Sequence, residues 1–140
     1  MNILLFDKSS EIRKQIERNI AGVAENLTIT KVESIKDVFE HKDLHMFNVI
    51  IIDGDNLEGK FKTLVEAVRR TNINTYIFLF FSFNIKTIME KFIKNGADYC
   101  FDKLYGFESF MEIFKSIINK PGNHNVTTGN KVFRKMFNEV

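Results

Sequence analysis

Val49-Ile50-Ile51-Ile52-Asp53 decides how this chain is read: four apolar residues in succession end on an acid, with no polar residue among them. A strand with one wet face alternates apolar and polar residues, so an unbroken run suits a strand covered on both faces, as in a parallel sheet flanked by helices. Three further runs have the same form, at Ile3 to Phe6, Tyr76 to Phe81 and Tyr99 to Phe101, with a weaker alternating one at Leu27-Thr28-Ile29.

Helical periodicity fills the intervals. Ile12, Ile16, Ile20 and Val23 follow Ser9, and Ile35, Val38 and Phe39 follow Ser34, each serine being a candidate N-cap. Phe61, Leu64, Val65 and Val68 make a third stripe. Ile85, Ile88, Met89, Phe92 and Ile93 make a fourth, stopped by Asn95-Gly96, and Phe110, Met111, Phe114, Ile117 and Ile118 make a fifth. Strand and helix alternate five times, which predicts an α/β, doubly wound, five-stranded parallel sheet with helices on both faces, a flavodoxin-like fold. The commonest order for such a sheet is 2-1-3-4-5, with a ligand crevice where the order reverses.

The composition excludes several function classes. The 140 residues fit one domain, expected over 1–120, and 44% apolar with 27% charged residues is ordinary for a globular protein. No apolar stretch is long enough to span a bilayer, and the start at Met1-Asn2 lacks a basic leader, so a cytoplasmic protein without membrane association is expected. A net charge of +2 from scattered Lys and Arg argues against nucleic-acid binding. One cysteine, Cys100, allows no internal disulfide and reads as a small buried hydrophobe. Residues 121–140 form a separate segment: a polar loop around Pro121-Gly122-Asn123 and Thr127-Thr128-Gly129-Asn130, then Val132, Phe133, Met136 and Phe137 at the spacing of a short helix. That stripe is expected to pack on its own domain or to fray, with a homodimer contact as the alternative.

The polar residues at the strand ends carry the chemistry. Asp7 follows the first run, Asp53 the third, Ser82 the fourth and Lys103 the fifth. In a 2-1-3-4-5 sheet all four reach the same rim. Two acids, a hydroxyl and an ammonium suit phosphoryl transfer, with the Asp53 oxygen as nucleophile, Lys103 and a divalent cation neutralising phosphoryl charge, and Ser82 donating a hydrogen bond. Taken singly, each residue has a plainer role as a capping, turn or solvent-exposed group.

On Ile-Leu-Leu-Phe-Asp7, Val-Ile-Ile-Ile-Asp53, Phe-Leu-Phe-Phe-Ser82 and Gly96-Ala97-Asp98-Tyr99-Cys100-Phe101-Asp102-Lys103, the chain resembles the receiver domains of bacterial two-component response regulators, from Asn2 to Lys120. The resemblance implies Asp53 as phosphoacceptor, Asp7 as one of an acidic pair holding Mg2+, Ser82 as switch hydroxyl and Lys103 as phosphoryl contact. Asp55 matches the position whose main-chain carbonyl binds the metal, so the implied metal set is Asp7, Asp53 and Asp55. The implied partners are a histidine kinase or phosphotransfer protein and, since no output domain fits the remaining residues, a separate downstream effector protein. The expected role is signalling through the surface around the fourth helix and fifth strand, not enzymatic catalysis.

Departures from the family pattern are equally specific. Lys8 stands where the second metal-binding acid belongs, which is expected to weaken Mg2+ binding because hard cations depend on carboxylate number. Three readings of Lys8 stay open: it points to solvent, it weakens the site, or its ammonium takes the cation's place against Asp53. Cys100 occupies the aromatic switch position, Leu104 replaces the usual proline, and the loop Gly54 to Gly59 is short. The alternative function is therefore a pseudo-receiver, an interaction module working without phosphorylation with Lys8 in place of the metal. A flavin-type binder on the same topology is disfavoured because Asp7-Lys8-Ser9-Ser10 lacks a glycine-rich phosphate cradle.

Overall fold

The computed structural model describes residues 1–119. The expected loop and apolar stripe of 121–140, and the dimer contact assigned to them, lie outside the described residues.

Five parallel strands, β1 (Asn2–Phe6), β2 (Thr28–Val32), β3 (Val49–Asp53), β4 (Tyr76–Phe81) and β5 (Tyr99–Asp102), lie in the order β2-β1-β3-β4-β5. They alternate with α1 (Ser10–Ala21), α2 (Ile35–Phe39), α3 (Phe61–Thr71), α4 (Lys86–Lys94) and α5 (Phe107–Asn119). This is the doubly wound sheet the apolar runs predict.

Successive strand residues face opposite sides of a sheet, and here each side meets an apolar layer. Leu4, Phe6, Ile50, Ile52, Ile77, Leu79, Phe81 and Cys100 pack with buried residues of α2, α3 and α4, among them Val38, Leu64 and Met89. The alternating set Ile3, Leu5, Val49, Ile51, Phe78, Phe80, Tyr99 and Phe101 packs with α1 and α5 through Ile16, Ile20, Phe110 and Phe114. Double coverage is the physical cause of the unbroken runs. Phenylalanines fill both faces; on the second, Phe110 meets Phe78, Phe80 and Phe101 edge-on at centroid distances of 5.7, 5.1 and 5.5 Å, a geometry that adds about 1 kcal/mol per pair to the burial of the rings.

Local signals set the helix ends. The Ser9 and Ser34 hydroxyls accept from the main-chain N–H of Ile12 and Asp37. Asn95 ends α4, and Gly96 follows with φ of 121°, where a β-carbon would also stand 2.5 Å from Val65 Cγ1, so only glycine fits.

Three details differ from the sequence-based expectation. Strand β2 runs on to Val32, pairing with β1 along its whole length, while Thr30 and Lys31 interrupt the apolar signal at a sheet edge where none of its residues is fully buried. Of the α4 stripe, Met89 and Ile93 are buried while Ile85 and Ile88 are 46% and 38% exposed; a nine-residue helix presents only one arc to the sheet. A 3-10 turn at Leu44–Met46, too short for any periodicity, precedes β3.

Register then fixes the rim. Phe6 pairs with Ile52, so Asp7 and Asp53 end neighbouring strands at the same level. Phe81 pairs with Asp102, which puts Ser82 level with Lys103.

Candidate functional site

Lys103 gathers the site. Its Nζ lies 2.7 Å from Asp53 Oδ1, 3.1 Å from Asp55 Oδ2 and 3.2 Å from Asp7 Oδ2. The main-chain N–H of Lys103 donates to the Phe81 carbonyl, so the lysine is anchored where β4 and β5 end.

Asp53 is enclosed. Its Oδ1 accepts from the Asp55 N–H at 3.0 Å as well as from Lys103, and its Oδ2 accepts from the Lys8 N–H at 3.2 Å and from Asn56 Nδ2 at 2.6 Å. Each oxygen therefore has two donors, which fills the ordinary acceptor capacity of a carboxylate, and the side chain is fully buried. Burial by itself would raise the Asp53 carboxyl, but the bonds from Lys103, Lys8 and Asn56 outweigh it and hold the group below the usual carboxylate range.

Asp7 has the opposite balance. Its Oδ1 accepts from the Ser9 N–H at 2.8 Å, while the buried Oδ2 faces Lys103 without a hydrogen bond among the described residues. Burial raises its carboxyl and the Asp53 charge adds to this; the Ser9 N–H and the Lys103 charge reverse only part of the effect. Burial also works against charge on Lys103, but the bonds to Asp53 and Asp55 prevail and lift its ammonium above the ordinary lysine value.

The structure brings Asp7, Asp53 and Lys103 together, with Ser82 beside them. Ser82 enters through its main-chain N–H, which donates to both Asp55 oxygens at 3.1 and 3.0 Å. Lys8 likewise contributes its main-chain N–H, and its side chain is exposed. The ammonium set among the carboxylates is that of Lys103, not Lys8. Cys100 is buried under α4, 3.8 Å from the Met89 carbonyl, and burial pushes its thiol far up.

The residues do not form the magnesium site that the resemblance implies. Among the described residues no group of three or more His, Cys, Asp or Glu is arranged to hold a metal ion. Lys8 removes one acid, and the carboxylates of Asp7, Asp53 and Asp55 converge on an ammonium that already supplies positive charge.

Asn56 is an addition that the sequence pattern does not signal, and Asp55 enters through its side chain rather than through the main-chain carbonyl that the resemblance implies. Gly54 supplies the only hint. A β-carbon there would stand 2.3 Å from Phe81 Cε1, so glycine lets the 3-10 turn Gly54–Asn56 lie against the end of β4 and brings Asp55 within reach of Ser82.

No protein-family model matches the chain, and no curated protein matches it in sequence. Solved structures do. The signal receiver domain of the DNA-binding response regulator merR from Colwellia psychrerythraea aligns at a TM-score of 0.73 and 14% identity, over 86% of this chain and 99% of that one. An atypical orphan response regulator aligns at 0.70 and 14% identity, over 89% and 100%. Response regulator DrrB from Thermotoga maritima aligns at 0.70 and 15% identity over 85% of this chain, which spans about half of DrrB (52%). With its sheet order, its two apolar layers and its acid-bearing rim, the chain has the fold of response-regulator receiver domains.

Proposed function

We propose that the chain is a two-component signalling receiver that accepts a phosphoryl group on Asp53 from a histidine kinase or phosphotransfer protein in the cytoplasm. The observation that carries this is the meeting of an ionised Asp53 carboxylate with the Lys103 ammonium at the carboxyl end of the sheet. In the transfer, an Asp53 oxygen forms the new bond to phosphorus as the bond to the donor's imidazole nitrogen breaks. The electron pair leaves on that nitrogen, and Lys103 offsets charge on the transferred group. No step is assigned to a metal.

Exposed apolar side chains support signalling around the fourth helix and fifth strand. Ile85 and Ile88 stand out at the start of α4, and Leu104 and Tyr105, 73% and 86% exposed, follow Lys103 beyond the end of β5. Such a surface suits a separate downstream effector protein.

A second reading, the pseudo-receiver, is favoured by the full burial and fourfold hydrogen bonding of Asp53. One similar structure bears the description of a new phosphorylation-independent regulatory mechanism. Intact-mass measurement after incubation with phosphoramidate separates the two. A single added phosphoryl group on the wild type, absent from Asp53→Asn, is the expected result, and an unmodified wild type favours the pseudo-receiver.

A further inference from the structure

Asp55 sits in the turn just after β3, and its side chain reaches across to β4. Both of its oxygens accept from the Ser82 N–H, and one lies 3.1 Å from the Lys103 ammonium. A main-chain N–H at a strand end and an ammonium beside the nucleophile are the donors that an anion carried on Asp53 would need. Asp55 already holds both.

Resting on the receiver reading above, we propose that the Asp55 carboxylate is the resident anion of the phosphoryl-binding position and gates access to Asp53. An incoming phosphoryl group competes with Asp55 for Ser82 and Lys103, and the two like charges repel at close range. Phosphorylation of Asp53 therefore requires the Asp55 side chain to swing out. That movement is open to it, because the side chain is 22% exposed while that of Asp53 is fully enclosed. The same contact ties the β3–α3 turn to the start of the β4–α4 loop, as a bound anion would, so this tie exists before any phosphodonor arrives.

The test compares wild type, Asp55→Ala and Asp55→Asn by 15N NMR, amide hydrogen exchange and phosphoramidate labelling. In Asp55→Ala the Ser82 amide resonance is expected to move and its exchange to quicken about tenfold, the fold-change that loss of a bond to a charged acceptor implies. Added acetate should return the resonance towards its wild-type position. Labelling of Asp53 should quicken about tenfold, with Asp55→Asn between the two because it keeps an acceptor oxygen but no charge. An unmoved Ser82 amide in both variants, or labelling of all three proteins at one and the same measurable rate, overturns the gate. If the Ser82 amide is released and rescued by acetate yet no protein is labelled, Asp55 is upheld as the resident anion and the phosphoacceptor role of Asp53 falls alone.

Discussion

The Lys103 ammonium stands 2.7 Å from Asp53 Oδ1, joining residues 50 positions apart in the chain and closing a network that also includes Asp7 and Asp55. Lys103 is the one cation placed among these carboxylates within the described residues, so the state of the whole rim depends on it.

Replacing Lys103 with Met keeps most of the stem and removes the charge, leaving buried carboxylates facing one another. A loss of about 3 kcal/mol at neutral pH is expected in urea unfolding, the scale of a buried ion pair broken on one side. The loss should shrink in acid as the carboxylates take up protons. The double variant Lys103→Met/Asp7→Asn should lose less than the single one, since one of the uncompensated charges is gone.

Asp7 and Asp53 predict opposite pH effects. The Asp7 carboxyl is raised in the fold, so its contribution to stability is full below the ordinary value of 3.8 and is lost as pH rises through the folded value. Asp7→Asn fixes a neutral group there, so its melting temperature should gain on the wild type as pH rises above the ordinary carboxyl value of 3.8. The Asp53 carboxyl is lowered, so its contribution is present above the ordinary value and lost as pH falls through the folded one. Asp53→Asn should therefore cost stability at neutral pH, and that cost should fade in acid. Parallel curves for wild type and both variants would contradict these assignments.

Asp98, far from the rim, anchors the opposite ends of β4 and β5. Its Oδ2 accepts from the Ile77 N–H at 2.8 Å and from Arg69 at 3.0 Å, and Arg69 also donates to the carbonyls of Ile73, Thr75 and Gly96. Asp98→Ala strands a buried N–H and a half-buried guanidinium and should cost about 3 kcal/mol. Asp98→Asn keeps an acceptor oxygen for Ile77 and should cost about half as much in the same urea titration.

Much of the fold is legible in the chain because burial writes itself into composition. Strands covered on both sides carry unbroken apolar runs with polar residues only at their ends, which is why β1, β3, β4 and β5 stand out and the half-wet edge strand β2 does so only in part. Ile85 and Ile88 show the limit: periodicity finds a helix face but does not say how much of that face the sheet covers.

The residue types at four strand ends were determined by the sequence, since alternation of strand and helix leaves few ways to arrange parallel strands and sends Asp7, Asp53, Ser82 and Lys103 to one rim. What only the tertiary structure decided is which groups bond to which. Lys8 and Ser82 act through main-chain N–H groups, which every residue but proline possesses and no side-chain pattern reveals. The place of Asp55 depends on how closely the Gly54 turn approaches Phe81, a distance set by packing between segments remote in the chain.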